Sequence, residues 1–531
     1  MKKITKLLLM TAIAIGMVAC SNDDNLPDAP DANAAKGNTY ASISIKLPKG
    51  PSTRAGLPDD YNKIDTWKGN DEIETINVFL VNSLAGTVDD ETFTKDSFDG
   101  IDSQGILFPK VALKATAGHK VKAYVVLNGE STILSTLQGT SAADFDDVYN
   151  DVISEVASKL ASNDGTNDVI MMTNIVDPVE KEVKPGVSEG DAMAGSVNTF
   201  MVDVERVVSR AIVTAKADAK EAEIKVLDAL GGEASTITIK DLKYVVGQSN
   251  KQFYMIKQDG YKTPETVYEF VPTALTWNAA VVEPTAIFDN EGLGNLTEVK
   301  TATGGTSITQ FETALTGEGA ASKFVLPVTH ATDDYRKGNT TYFEVTAIFT
   351  PNAVNDGDGE DYKAGNDVFL GMKDGLFYSK RELAEAEGQK ATMYKGTGTA
   401  EGVTPGAIMK YVLWLNPNEI PGAAEAKATM SPTVRNQVYH AHINSFKQIG
   451  LPNNPLNPKD PNNPQVDPDD PTKPMDPTDP NYDPDNPGNE NPINPIKPED
   501  PLQTDDTYLS VEIKVVPWGI HSYEIELGND Y

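Results

Sequence analysis

The chain has 531 residues, with 78 acidic against 45 basic side chains and a formal net charge of −33. Such an acidic surface repels phosphate backbones and anionic lipid headgroups, which argues against nucleic acid and bilayer surfaces as partners. Without its two terminal segments, the length suffices for two large or three ordinary domains.

The first twenty residues predict an export signal. Lys2, Lys3 and Lys6 precede an apolar run over residues 7–18, which is too short to cross a membrane. The run is followed by Met-Val-Ala-Cys20, a pattern that resembles a bacterial lipobox and contains the only cysteine. We therefore expect a diacylglycerol on the Cys20 thiol. A chance cysteine beside an ordinary signal-peptidase site is the alternative.

Residues 40–47 alternate between apolar and polar side chains, which predicts a half-buried strand. Its apolar face consists of Ile43, Ile45 and Leu47. The motif Thr53-Arg54-Ala55-Gly56 follows between two prolines and is typical of an exposed cut site for an arginine-specific protease. Cleavage there would remove the strand and leave an open groove in its sheet.

The body of the chain predicts a mostly β fold. Short runs rich in Val, Ile, Thr, Tyr and Phe are separated by Gly, Asn, Asp and Pro, which favours β-sandwiches. These runs cover residues 73–81, 121–127, 200–215, 237–246, 340–349 and 409–415. One helix is expected over residues 145–160, after a capping-box pattern at Ser141 and with apolar residues spaced by three and four.

Residues 452–501 are dominated by Pro, Asp and Asn, with proline mostly at every third position. This spacing matches polyproline II, and an extended rod of this length reaches at most ~155 Å at ~3.1 Å per residue. We expect a stiff tether that cannot easily return the last strand to its own domain. A spacer through a cell-surface layer and a proline-motif ligand are the alternatives.

The C-terminal segment repeats the alternation of residues 40–47, with a break at Pro517 and Gly519. Its apolar positions are Leu509, Val511, Ile513 and Val515, followed in the same phase by Tyr523, Ile525 and Leu527. A strand with alternating apolar side chains can add to a neighbour's sheet by β-augmentation. We predict a donor strand for another copy of the chain; an ordinary last strand of the chain's own sheet is the alternative.

The sequence shows no motif for catalysis, cofactor binding or a structural metal, so we expect a protein that is not an enzyme. His440 and His442 have a spacing that can bind metal, but a polar strand face is favoured. The acidic residues 356–361 could hold calcium, although a solvated loop is favoured. The four tryptophans could form a sugar platform, although packing within cores is favoured.

Several stretches resemble the Mfa-type short-fimbria shaft subunits of the Bacteroidetes type V pilin (fimbrillin) family. They are Thr53-Arg54-Ala55-Gly56 and residues 122–128, 204–211, 335–340, 434–443 and 510–523. The resemblance implies two transthyretin-like sandwich domains with a border near Asn198, a lipidated precursor at the outer membrane, and cleavage between Arg54 and Ala55. It also implies that the C-terminal segment of an adjacent subunit replaces the removed strand.

The expected organisation is a signal peptide (1–20), a propeptide with the removable strand (21–54), two sandwich domains (55–198 and 199–450), a linker (451–506) and the donor strand (507–531). The expected function is that of a fimbrial shaft subunit that polymerises head to tail with itself and supports adhesion and biofilm formation. Anchor and tip subunits are further expected partners, and host or bacterial surface ligands are possible. The alternative is a monomeric surface lipoprotein that binds glycans or host proteins.

Overall fold

The computed structural model describes most of both expected domains and part of the C-terminal region. The described residues are 37–47, 71–98, 105–163, 167–264, 288–289, 292–302, 322–356, 362–386, 388–419, 428–454, 456–457, 460, 462–464, 475–476, 478–480, 501–502 and 509–517. Residues 418, 419, 428 and 509–517 are described by their backbone alone.

The strands of the first half are β1 Thr39–Lys46, β2 Thr75–Asn82, β3 Thr87–Thr94, β4 Ile106–Leu107, β5 Leu113–Ala115, β6 Gly118–Leu127, β7 Val152–Ser154, β8 Ala161–Asn163, β9 Asp168–Ile170, β10 Met172–Asn174, β11 Lys181–Val183, β12 Thr199–Arg206, β13 Ser209–Ala215, β14 Glu223–Leu227, β15 Glu233–Gly247 and β16 Gln252–Tyr254. Those of the second half are β17 Thr297–Glu298, β18 Lys300–Thr301, β19 Lys323–Val325, β20 Tyr342–Pro351, β21 Val368–Gly371, β22 Phe377–Tyr378, β23 Ala391–Tyr394, β24 Ala407–Trp414, β25 Asn418–Glu419, β26 Ala428–Met430, β27 Gln437–Phe446 and β28 Leu509–Pro517.

The helices are few and short. They are α1 Ser131–Gln138, α2 Phe145–Asn150, α3 Ala157–Leu160, α4 Glu189–Met193 and α5 Arg381–Glu385, with 3-10 turns at Lys95–Ser97, Asp218–Glu221, Asp259–Tyr261, Gly292–Gly294 and Lys337–Asn339. Within the ranges given above, none is long and apolar enough to cross a membrane. The mostly β fold expected from the sequence is confirmed.

The N-terminal unit is built on nine strands in the order β3-β2-β6-β10-β12-β1-β4, with β11 beside β6 and β5 beside β1. Alternating side chains of β1, β2, β6 and β12 enclose one apolar core. The opposite side chains of β2 and β6 form a second core with the helices. There the ring of Tyr124 lies 5.0 Å from that of Phe145 and 4.7 Å from that of Tyr149.

The helix expected over residues 145–160 is broken, and that prediction is wrong in its middle. Helix α2 ends at Asn150, and Asp151 adopts an extended conformation. The β-branched pair Val152 and Ile153 then forms β7, which is antiparallel to β16. The tertiary partner therefore overrides the local helical spacing, because an extended segment gains a hydrogen-bonded ladder there.

The C-terminal unit is a sandwich of two five-stranded sheets. One has the order β18-β13-β27-β28 with β19 beside β13, and the other β14-β15-β20-β24 with β17 beside β15. Val213 and Tyr439 from the first sheet share a core with Tyr244 and Phe343 from the second. Strand β12 pairs with β1 and β10, whereas β13 pairs with β27, so the chain passes from one sheet to the other at Val207 and Val208.

The start of the proline tract is folded, and the expectation of a polyproline II rod is wrong for its described residues. The N–H groups of Asn457, Asp460 and Asn463 donate to the carbonyl oxygens three residues earlier, at 3.0–3.1 Å. Polyproline II has no internal hydrogen bonds, so these are successive turns. Each turn starts at Asn or Asp, whose side chain competes for nearby backbone donors: Asn454 Oδ1 accepts from Leu456 N at 3.0 Å.

Buried charged side chains connect the two units where the sheets change: Arg206 by a hydrogen bond to Asn436, and Arg435 by an ion pair with Glu205. The Arg206 guanidinium donates to the Asp71 carboxylate through Nε, at 2.9 Å, and through Nη2. Its Nη1 donates to Asn436 Oδ1 at 2.7 Å. Arg435 lies 2.9 Å from Glu205 and donates to the carbonyl oxygens of residues 254 and 255. The units are therefore held together by charged groups that water does not reach.

Because the Asp71–Arg206 pair is buried, neutralising its carboxylate should lower the free energy of unfolding far more than neutralising the carboxylate of an exposed pair. Asp71→Asn leaves the guanidinium of Arg206 buried without its carboxylate, which costs about 3–5 kcal/mol. Asp203→Asn removes the partner of Lys46 from an exposed pair at 3.7 Å, which costs less than about 1 kcal/mol. Denaturant unfolding of both variants measures the difference. Equal losses would show that burial of the Asp71–Arg206 pair does not raise the cost of breaking it.

Candidate assembly site

Strand β1 is an interior strand of the N-terminal sheet. It runs parallel to β12, with Ser42 opposite Thr199 and Lys46 opposite Asp203. On its other side it is antiparallel to β5 and then to β4. Withdrawal of β1 would therefore expose two hydrogen-bonding edges facing one groove.

The apolar face of β1 fills that groove. The exposed fractions of Ala41, Ile43, Ile45 and Leu47 are 0%, 4%, 0% and 8%, so the strand lies in the phase that the alternation predicts. Full burial of a large aliphatic side chain contributes about 1.5–3 kcal/mol, or on the order of 5–9 kcal/mol for the three largest. The free energy of unfolding of a domain is only about 5–15 kcal/mol, so loss of β1 without a replacement would remove much of the stability of the N-terminal unit.

Backbone hydrogen bonds, which do not depend on the side chains, also hold β1 in its sheet. The N–H groups of Tyr40, Ser42 and Leu47 donate to the carbonyl oxygens of Val187, Asn198 and Gly105, at 2.9–3.2 Å. Another strand of suitable phase can make the same main-chain bonds.

Asn198 closes the outer end of the groove. Its φ of +53° is a left-handed conformation that asparagine tolerates, and its Nδ2 donates to the carbonyl oxygen of Tyr40 at 2.9 Å. The sequence analysis used Asn198 only as a border. A single asparagine carries no local signal for this role, because its partner on β1 lies 158 residues away in the sequence.

The C-terminal strand β28 pairs antiparallel with β27 of the same chain, from Leu509 opposite Phe446 to Pro517 opposite Gln437. The expectation that the tether keeps this strand away from its own domain is wrong in this state. The reason is the folded start of the tract, together with Leu502, which is buried in the same cluster as Leu456. The tract therefore returns to the body before β28 begins.

The register of β28 agrees with its alternation. Val511, Ile513 and Val515 stand opposite Ile443, Ala441 and Tyr439, which belong to the core of the C-terminal sandwich. In the sheet order β28 is terminal, with β27 as its one neighbour among the described strands. Among the described strands, β1 thus has two neighbours and precedes the expected cut site, whereas β28 near the C-terminus has one.

Several expected site residues lie outside the described residues. They are Cys20, Arg54, Ala55, Tyr523, Ile525 and Leu527.

The two histidines considered as metal ligands are core residues. His440 Nε2 and His442 Nδ1 lie 2.7 and 2.8 Å from Thr214 Oγ1, and both histidines are buried. Within the described part of the chain, no group of three or more His, Cys, Asp or Glu residues is placed to hold a metal. Trp414 is buried against the ring of Tyr342 rather than displayed as a sugar platform. Of residues 356–361, only Asp356 is described, and its Oδ1 accepts from Ser379 N at 2.8 Å.

Comparison with known proteins identifies relatives of this architecture. The family model for the major fimbrial subunit protein type IV, fimbrillin, C-terminal, matches residues 405–524. Two minor fimbrium subunits Mfa1 from Porphyromonas gingivalis are each 32% identical to the chain, over 99% of this chain and 100% of theirs.

The solved structures that resemble the chain include two fimbrial proteins of Porphyromonas gingivalis. A fimbrilin (FimA) is 16% identical, with a TM-score of 0.35 over 81% of this chain and 94% of its own. The tip fimbrial protein Mfa3 is 10% identical, with a TM-score of 0.30 over 77% and 95%. On the strength of the full-length identity to Mfa1, the chain belongs to the family of minor fimbrium subunits and is a fimbrial subunit.

Proposed function

We propose that the chain is the shaft subunit of a cell-surface fimbria and polymerises by protease-triggered donor-strand exchange. The observation that carries this proposal is the position of β1, an interior strand whose apolar face fills a core and which precedes the motif at Arg54 and Ala55. Cleavage there removes β1 together with the lipid on Cys20. The C-terminal segment of another copy, with Leu509, Val511, Ile513 and Val515 and then Tyr523, Ile525 and Leu527, fills the groove.

The strand directions support head-to-tail assembly. Strand β28 starts opposite Phe446, at the end of the C-terminal unit far from Val207. Strand β1 starts beside Asn198, at the end of the N-terminal unit far from Val207, and runs parallel to β12 toward it. A tail that leaves one subunit at its C-terminal end therefore enters the next at the outer end of the groove and runs in the direction of β1.

A shaft position requires both a groove and a donor strand. A tip subunit needs a groove alone, and an anchor needs a donor alone while keeping its lipid. The chain carries candidates for both elements, so we place it between tip and anchor subunits, in a fibre that supports adhesion and biofilm formation. The precursor is held at the outer membrane by the lipid on Cys20.

A monomeric surface lipoprotein that binds glycans or host proteins is the second candidate. The observation that favours it is the pairing of β28 with β27, which completes the C-terminal sheet without a second copy.

Cleavage of residues 21–531 by a trypsin-like protease separates the two candidates. Under strand exchange, we expect a ladder of detergent-resistant multimers on an unheated denaturing gel, because main-chain ladders with buried apolar side chains resist detergent. The ladder should require both the cut at Arg54 and residues 508–531. If the complete and the truncated chains both remain monomeric after clean cleavage, strand exchange is rejected and the lipoprotein becomes the better account.

Two aspartate substitutions in the tail test the phase of the donor strand. Ile513→Asp puts an unpaired charge into an apolar position and should abolish the ladder, since burial of an isolated carboxylate is strongly unfavourable. Ser510→Asp adds the same charge on the other face of β28 and should leave most of the ladder. Circular dichroism checks that both monomers remain folded. Equal assembly by the two variants would contradict insertion in this phase.

A further inference from the structure

Three charged side chains meet under the start of the proline tract. Lys410 on β24 places its Nζ 2.7 Å from Asp460 Oδ2 and 3.0 Å from Glu344 Oε1 on β20. The side chains of Lys410, Glu344 and Asp460 are 13%, 2% and 0% exposed. One amine and two carboxyl groups therefore share a site that water hardly reaches.

The surroundings orient both carboxyl groups. Asn454 Nδ2 donates to Glu344 Oε2 at 2.6 Å, and Asn454 N donates to Asp460 Oδ2 at 2.8 Å. Asn462 N donates to Asp460 Oδ1 at 2.9 Å. The two backbone N–H groups donate to the two oxygens of Asp460, where they can stabilise the negative charge that those oxygens carry in a tetrahedral intermediate.

An apolar cluster adjoins the site. It consists of Tyr335, Tyr342, Trp414, Leu456 and Leu502. The hydroxyl of Tyr342 is 2.9 Å from Asn454 Nδ2, which places the cluster directly beside the carboxyl groups. Amide formation releases water, and a site that excludes water disfavours the reverse reaction.

We propose that Lys410 and Asp460 are joined by an intramolecular amide bond whose formation is assisted by Glu344. The Lys410 Nζ attacks Cγ of Asp460, the new N–C bond forms, and one C–O bond breaks. The ammonium and the carboxylate together supply all the atoms of the amide and of one water molecule. In two successive transfers Glu344 accepts a proton from Nζ and donates it to Oδ2, so Oδ2 leaves as water and one proton stays on the amide nitrogen. Oδ1 becomes the amide oxygen and keeps its hydrogen bond from Asn462 N.

The protonation of Lys410 defines the first step. Burial by itself would lower the pKa of Lys410, but the charges and hydrogen bonds of Glu344 and Asp460 outweigh burial and raise it. The amine therefore starts as an ammonium and must transfer a proton before it attacks. Glu344 is the second carboxylate within hydrogen-bonding distance and is not consumed, which suits it to accept that proton.

The bond would fix the tract to the body at one point. Residues before Asp460 would stay on the sheet of β20 and β24, and only residues beyond it would be free to extend. If the tail is inserted in a neighbour, as the proposed function has it, a pull on the tail reaches β24 through a covalent link rather than through an ion pair.

Mass spectrometry of the denatured full chain tests the bond directly. The chain should be lighter than its sequence mass by one water, and a tryptic digest should contain a peptide around Lys410 joined to the peptide around Asp460. Lys410→Arg keeps the positive charge and Glu344→Gln keeps both reacting groups, yet both variants should have their full sequence mass. Asp460→Asn should reach the mass of the cross-linked wild-type chain, because ammonia then leaves in place of water.

The exposed pair of Lys395 and Asp367 provides an internal control. Its atoms are 3.2 Å apart, but its side chains are 41% and 33% exposed, so its peptides should stay separate. A wild-type chain of full sequence mass with separate Lys410 and Asp460 peptides overturns the proposal. So does a loss of water that maps to any other residue. An unchanged cross-link in Glu344→Gln would remove Glu344 from the reaction.

Discussion

An interior strand of a sheet must satisfy its backbone hydrogen bonds on both sides, and β1 is such a strand. Its removal leaves donors and acceptors on β12, β4 and β5 without partners and uncovers the core that Ile43 and Ile45 fill. Unpaired buried backbone groups are costly, so the unit cannot relax by closing a small gap. Withdrawal of β1, after a cut between it and Asp71, would leave a domain that requires a strand from elsewhere.

Strand β28 makes fewer strand pairings than β1, the strand it would replace. In its own sheet β28 has β27 as its neighbour among the described strands, whereas the groove left by β1 offers two. The proposed exchange would therefore add a second hydrogen-bonded ladder to β28 without a new kind of contact. While β1 is in place no such groove exists, and pairing with β27 satisfies one hydrogen-bonding edge of β28.

The sequence predicted what depends on short-range periodicity. The phases of β1 and β28 follow from side-chain alternation, which is a local property. The break after Asn150 could not be read locally, because β7 pairs with β16 far along the chain. The role of Asn198 at the groove could not be read locally either, because it depends on a contact with a residue of β1 far away in the sequence. The turns of the proline tract could have been predicted from the sequence. Of the 16 prolines in residues 452–501, 13 follow Asn or Asp. An Asn-Pro or Asp-Pro pair favours a turn, whereas the spacing of the prolines alone fits polyproline II.

The folded tract affects whether β28 pairs with β27 of its own chain or, as proposed, with the groove of a neighbouring subunit. With Leu456 and Leu502 in one cluster, the tether begins and ends on the body, so β28 meets β27 at a high effective concentration. Once Leu502 leaves that cluster, residues 461–508 can extend to about 150 Å at ~3.1 Å per residue, and the local advantage falls with the volume searched. Pairing within the chain is therefore favoured by proximity, and under the proposed exchange pairing with a neighbour would be favoured by the second ladder. The packing of Leu502 would then set the balance between the two.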